Sequence, residues 1–296
     1  MLNRRDFLKT SAAALSIGFG ARDLLAAGKR TATDQVTLGR SGVKLSRLGI
    51  GTGSNNGAVQ RALGQDGFTS LVHAAYERGV TYIDTAHNYQ THSMVREAIR
   101  GLPREKFYIQ TKMPWDRPQF YDHPLEALDK FRSELGVDYI DSLLLHCATK
   151  SSWPTDLRPM QDAFSEAQHK GVIRIKGVSC HGLPALRAAT TVDWIDVHLA
   201  RVNAQAHHMD GAAGVFGEPG DREAAMKELQ AMHARGHGII GMKLVGNGDF
   251  TDAADREKAM HFVLNCGCVD AVVVGMASIA QLDETIGRMN RILAEA

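Results

Sequence analysis

"GIGTGSNNG", residues 49–57, follows the first apolar run of the chain body and decides between two architectures. A chain that alternates short β-branched runs with helix-period stretches folds either as a doubly wound open sheet or as a closed barrel. An open sheet built for a dinucleotide carries G-x-G-x-x-G between its first strand and first helix, with an acidic residue about 20 positions on. Here the glycines fall at 49, 51, 53 and 57, which fits neither that spacing nor the acidic follow-up. The remaining apolar runs point to the barrel: "SRLGIG" (46–51), "TYIDTA" (81–86), "FYIQTKM" (107–113), "YIDSLLLH" (139–146), "RIKGVS" (174–179), "WIDVHLA" (194–200), "GIIGMKL" (238–244) and "DAVVVG" (270–275). Each precedes a plausible helix, so the sequence predicts an α/β fold, a parallel (β/α)8 barrel entered through a hairpin at "VTLGRSGVKLS" (36–46). Two helices are well marked. Phe68, Leu71, Val72, Ala75 and Tyr76 share one helical face ahead of Gly79, and "HPLEALDKFRSELG" places Pro124 at a first turn and Gly136 at a stop.

At 296 residues with 44% hydrophobic content, the chain has material for a large core. Basic and acidic residues number 34 and 33, and no basic block interrupts the body, which argues against nucleic acid as a partner. The first residues read differently. "NRRDFLKTSAAALSIGFGARDLLAAG" sets Arg4 and Arg5 before Phe7, Leu8 and Lys9, then runs through an alanine-rich stretch. It looks like a twin-arginine export signal. The expected division is a targeting segment over 1–28 and one barrel domain over 29–296, with the export machinery as partner and the periplasm as destination. Arg22 and Asp23 break the apolar stretch, so no stable membrane span is expected in the mature protein.

In a barrel of this kind the chemistry sits where the strands end. The second run ends at Asp84 with Tyr89 just beyond, the third at Lys112 and the fourth at His146. A phenol has a reference pKa of about 10, and a nearby ammonium favours its ionised form. Lys112 can supply that charge, Asp84 can hold the lysine charged, and His146 can donate or accept a hydrogen bond at the same place. The quartet suits polarising a carbonyl oxygen and exchanging a proton with it.

These residues carry a resemblance. "DTAHNY" (84–89), "QTKM" (110–113) and "LLLH" (143–146) are similar, residue by residue, to the Asp, Tyr, Lys and His tetrad of the aldo-keto reductases, and the likeness spans residues 36–294. It implies an NAD(P)(H)-dependent oxidoreductase that interconverts a carbonyl and an alcohol, with Tyr89 as general acid or base, Lys112 and Asp84 tuning it, and His146 orienting the carbonyl. The hydride would come from the nicotinamide. The resemblance also implies cofactor-binding residues: Gly51 and Thr52 after the first run, Ser179 and Cys180 in "GVSCHG", Asn203, Met242 and Lys243 in "GMKL", and Gly275, Met276, Ser278, Gln281 and Glu284 in "VVVGMASIAQLDETI". NADP(H) is expected, with NAD(H) as the alternative. Several positions depart from the family pattern: Cys180 stands for a usual asparagine, Met242 for a stacking tyrosine, Thr285 for an asparagine and Ala277 for a phosphate-gripping cation, and the usual glutamine near Asn203 is missing.

Two further readings stay open. A nucleotide-binding barrel that senses redox state without turnover would need no tyrosine and lysine in charge contact, and a barrel aldolase or hydrolase would use a Schiff-base lysine or paired carboxylates. The glycine-rich stretch "AQAHHMDGAAGVFGEPGD" (204–221) reads as a lid or mobile surface in place of a C-terminal closing loop. Within it His207, His208 and Asp210 offer metal-ligand types, but adjacent imidazoles are expected to point apart, so no metal is expected. Cys266 and Cys268 are expected as thiols, whereas Cys147 and Cys180, at the ends of adjacent strands, leave a disulfide conceivable. The substrate is not legible.

Overall fold

The computed structural model describes residues 29–295, and the twin-arginine reading of residues 1–28 lies outside them. From Thr31 onward the chain forms one compact unit. Two strands, β1 (Gln35–Thr37) and β2 (Lys44–Ser46), pair antiparallel as the expected hairpin. Eight more follow: β3 (Leu48–Gly51), β4 (Tyr82–Asp84), β5 (Tyr108–Met113), β6 (Ile140–Ala148), β7 (Ile173–Cys180), β8 (Val197–Arg201), β9 (Gly238–Met242) and β10 (Ala271–Gly275). They close into a parallel barrel in which β10 pairs with β3. All eight runs named from the sequence are barrel strands.

Strand alternation divides the core in two. Tyr82, Tyr108, Leu144, Ile175, Val197, Leu199, Ile240 and Val273 fill the barrel interior, joined by Leu38, Val43 and Leu45 of the hairpin. The hairpin thus closes one end of the barrel with its own apolar side chains. Between its strands Gly39 has φ +45°, and a Cβ there would stand 2.3 Å from the Gly236 carbonyl oxygen, so only glycine fits. The larger cluster lies between strands and helices and takes in Phe68, Leu71, Phe131, Phe164 and Leu186. The expected helix around Phe68 runs from Gly64 to Glu77, and Pro124–Leu135 stops at Gly136 with φ 65°.

Two details bear on the site. The strand expected to stop at His146 continues to Ala148 across a bulge, where Leu145 is level with Val178 but Ala148 with Cys180, and Cys147 has φ 61°. A bulge re-aims side chains at a barrel rim. Between β8 and the helix Arg222–Ala234 the chain has no regular secondary structure, and Val215 and Phe216 stand exposed there. Among the described residues no helix is long and apolar enough to cross a membrane.

Candidate active site

Register explains the convergence. Tyr82, Tyr108 and Leu144 point into the barrel, so the residues two further along each strand, Asp84, Gln110 and His146, share that face nearer the C-terminal ends, with Lys112 beyond Gln110. Lys112 is fully buried and uses all three of its N–H groups as hydrogen-bond donors. Its Nζ donates to Asp84 Oδ1 at 2.7 Å, Asp84 Oδ2 at 2.8 Å and the Thr85 carbonyl at 2.8 Å. Gln110 Nε2 donates to the same Asp84 Oδ1 at 2.8 Å and to the Tyr82 hydroxyl at 3.0 Å, which fixes the carboxylate from a second side. Burial pulls the Lys112 ammonium below its ordinary value, and the Asp84 carboxylate opposes that loss of charge.

Tyr89 sits over this pair, with Lys112 Nζ 4.9 Å from its ring centroid and the His146 ring edge-on at 5.7 Å. The expectation that Lys112 would favour the phenolate is corrected here. Burial, and then the Asp84 carboxylate, push the Tyr89 phenol well above its ordinary value, and the lysine's charge is already matched by Asp84. The phenol keeps its proton. His146 is 8% exposed and burial lowers its pKa to about 3, with the Lys112 charge acting in the same direction, so the imidazole is neutral. Its Nδ1 has no partner among the described residues. A protonated phenol and a neutral imidazole thus flank one point above a locked ion pair, an arrangement that can hold an oxygen atom and give it a proton.

A cavity of about 510 Å³ opens in front of Tyr89, within the range of small-molecule and cofactor sites. Of the tetrad, Asp84 and Tyr89 line its wall, with the His146 ring edge-on to that of Tyr89. Of the residues named from the sequence, Gly51, Met242, Lys243, Gly275, Met276, Gln281 and Glu284 line it. Burial, reinforced by the nearby Arg201 charge, pulls the Lys243 ammonium down.

Other expected contacts are placed elsewhere. Thr52 does not face the cavity; its hydroxyl joins Thr91 at 2.8 Å in a chain that continues to Thr85. Asn203 is buried and wholly engaged, Nδ2 donating to the His207 carbonyl at 2.7 Å and the Lys243 carbonyl at 3.3 Å while Oδ1 accepts from the His207 amide at 3.0 Å. Ser278 accepts from the Gln281 amide at 3.2 Å and Gln281 Oε1 accepts from the Ala277 amide at 2.7 Å, a reciprocal cap on the helix Ile279–Glu295. Ser179 and Cys180 are buried and do not line the cavity, the serine hydroxyl without a partner among the described residues. All four cysteines are free thiols, and Cys266 and Cys268 lie 3.8 Å apart at sulfur.

Several cavity residues lie outside the sequence motifs. Gly53 and Ser54 form part of the cavity floor, and Gly275 is fixed there because a Cβ would come to 1.9 Å of Ser54 Oγ. Arg256 and Arg288, from two different helices, line the far end beside Glu284, which accepts from Arg256 Nη2 at 3.1 Å and Arg288 Nη2 at 2.8 Å. The Glu284 and Arg288 pair is four apart on one helix and was readable from spacing alone; Arg256 carries no local signal. Asp210, grouped with His207 and His208 from sequence, instead accepts from buried Arg201 at 2.6 Å and from the Gly182 amide at 2.6 Å. The two imidazoles do not diverge: both Nε2 atoms meet Asp249 Oδ2, at 2.7 and 3.0 Å.

Comparison with known proteins supplies the family. The model of the aldo/keto reductase family matches residues 47–268. A 9,11-endoperoxide prostaglandin H2 reductase of Trypanosoma cruzi is 34% identical over 148 residues, 49% of this chain and 47% of that protein. An aldehyde reductase of Saccharomyces cerevisiae is 34% identical over 120 residues, 40% of this chain and 33% of that protein. The matches span about half or less of these relatives' length. Among solved structures, a Pseudomonas aeruginosa protein described as an aldo-keto reductase superposes with TM-score 0.69 at 20% identity, covering 90% of this chain and 98% of that one, a likeness of fold.

Proposed function

The chain belongs to the aldo/keto reductase family, and from that premise we propose that it reduces an aldehyde or ketone to an alcohol, or runs the reverse, at the Tyr89 site with NADP(H). The observation that carries the proposal is the Tyr89 phenol, held protonated above the Lys112 and Asp84 pair at the wall of a cavity sized for a cofactor. Nicotinamide bound in that cavity would supply the hydride that no side chain can deliver. The chain's own residues do the rest. The neutral His146 imidazole and the Tyr89 hydroxyl orient the carbonyl oxygen, and as that oxygen gains negative charge Tyr89 passes it the phenolic proton. A phenol raised above its ordinary value yields its proton only to a strong base, and an alkoxide is one. In the reverse direction Tyr89, once its phenol has lost its proton, takes the proton of the alcohol on its phenolate oxygen as the hydride leaves for the oxidised nicotinamide.

The cavity lining suits a dinucleotide. Backbone at Gly51, Gly53 and Gly275 and the polar side chains of Gln281 and Glu284 line the cavity. Arg256 and Arg288 beside Glu284 support the NADP(H) reading, since guanidinium forks suit a phosphate and Ala277 offers none. Titration of the purified protein with NADPH and NADH by quenching or transfer of tryptophan fluorescence tests this. Saturable binding that is tighter for NADPH is the expected result, and binding of neither removes the proposal.

For the N-terminal segment we propose export by the twin-arginine route to the periplasm, on the Arg4, Arg5, Phe7, Leu8, Lys9 order. Because that route carries folded proteins, the reductase would travel with its nucleotide bound and recycle it with a second substrate. Fusing residues 1–30 to a reporter active only after export tests the signal. Replacing Arg4 and Arg5 by lysine should abolish reporter activity, and a reporter retained inside the cell with the native arginines overturns the reading.

A further inference from the structure

The loop after β8 and the loop after β9 meet at three side chains. His207 and His208 come from the first, Asp249 from the second, and their ligand atoms all lie within 4.8 Å of one another. Adjacent side chains in extended backbone point to opposite sides, so two consecutive imidazoles converge only if the chain turns sharply between them. It does: Ala206 has φ 61° and His208 φ 54°, both left-handed and neither a glycine. The turn is held from below. Asn203, with no exposed surface, takes both the amide and the carbonyl of His207 and ties that carbonyl's neighbourhood to Lys243. The backbone of His207 is therefore held by a buried framework, from which its ring and that of His208 reach the surface.

Two imidazole nitrogens and one carboxylate oxygen, with the fourth side open to solvent, form the donor set of a borderline divalent cation. We propose that His207, His208 and Asp249 bind one such cation, of the zinc class, and that the ion ties the two loops together. Metal bonds of about 2.0–2.1 Å in a tetrahedron put ligand atoms about 3.4 Å apart. The observed separations of 2.7 and 3.0 Å from Asp249 Oδ2 need to open by about 0.4–0.7 Å to reach that spacing, on side chains that are 45%, 34% and 60% exposed. The consequence reaches the cavity, because Asp249 sits between Gly248 and Phe250, both of which line it, and the His207 ring lies 5.9 Å from that of Phe250. A bound ion would slow opening of the segment 243–252. Any resulting slower release of nucleotide rests on the proposed cofactor use, whereas the metal site does not, so the two readings fail separately.

The test uses the full-length, tag-free protein stripped by chelator and dialysed against zinc chloride, with metal per chain read by mass spectrometry. One ion per chain is expected at micromolar zinc. His207→Ala and Asp249→Ala should each weaken it by at least about tenfold, the scale on which even outer-shell partners matter, while His123→Ala, an exposed histidine elsewhere, should not. In parallel, amide exchange of residues 243–252 should slow on adding zinc to the parent protein and stay unchanged in Asp249→Ala, whose fold is checked by circular dichroism. Less than half an equivalent of zinc bound, or stoichiometric binding that survives both substitutions, overturns the proposal.

Discussion

Gly53 lies directly under the ring of Tyr89: a Cβ at position 53 would stand 2.6 Å from two ring carbons and 2.9 Å from the phenolic oxygen. Backbone contact of this closeness sets the height of the phenol above the Lys112 and Asp84 pair. Gly53→Ala is expected to push the ring off its position by a fraction of an ångström to an ångström. Misplacement on that scale costs roughly a hundredfold in rate. Steady-state reduction should show a large fall in kcat with the protein still folded, and a change under threefold would mean that Tyr89 adapts freely.

The buried ion pair makes a stability prediction. Lys112→Met leaves the Asp84 carboxylate without its cation, and breaking a buried pair by removing one partner costs about 3–5 kcal/mol. Urea unfolding should show a lower midpoint at unchanged slope. A loss under about 1 kcal/mol would indicate that Gln110 and solvent satisfy the carboxylate unaided.

Two buried histidines give a pH dependence. Burial lowers His146 and His198 to about 3 from an ordinary value of 6.5. Between those values the unfolded chain holds a proton that the folded one does not, so stability falls as pH drops from about 6.5 towards 3 and is unaffected by these groups above that window. Neither ring nitrogen of His198 has a partner among the described residues. His198→Leu should therefore move the acid-unfolding midpoint to lower pH by removing one such proton. An unchanged or higher midpoint would contradict this. For the same reason His146 should add no inflection to the pH profile of turnover between pH 5 and 8.

At the far end of the cavity, Arg256→Ala is expected to weaken NADPH binding by about tenfold, or about 1.4 kcal/mol, and NADH binding by less. Equal loss for both nucleotides would assign Arg256 to bracing the loop, where its Nη1 also holds the Phe250 and Thr251 carbonyls.

What the sequence could reveal followed from local rules. Strand alternation and strand ends locate Asp84, Lys112 and His146, because period two in a closed barrel dictates which side chains face inward. The same rule, applied one residue further, separates Gly51, which lines the cavity, from Thr52, which turns into the hydroxyl chain with Thr91. Asn203 was legible as an important residue but not as a brace, since its role depends on where the following loop turns. Arg256 approaches from a helix that no motif connects to the site, and the direction of the Tyr89 shift depends on burial, which a sequence does not display.

The most direct measurement is a comparison of the parent protein with Tyr89→Phe, reading nucleotide binding by fluorescence and single-turnover oxidation of bound NADPH against a panel of aldehydes and ketones. The account predicts reduction of at least one carbonyl by the parent protein, and in Tyr89→Phe nucleotide binding within about twofold of the parent alongside a rate lower by at least about a hundredfold, the scale of positioned general-acid catalysis. Reduction at an undiminished rate by Tyr89→Phe would contradict it.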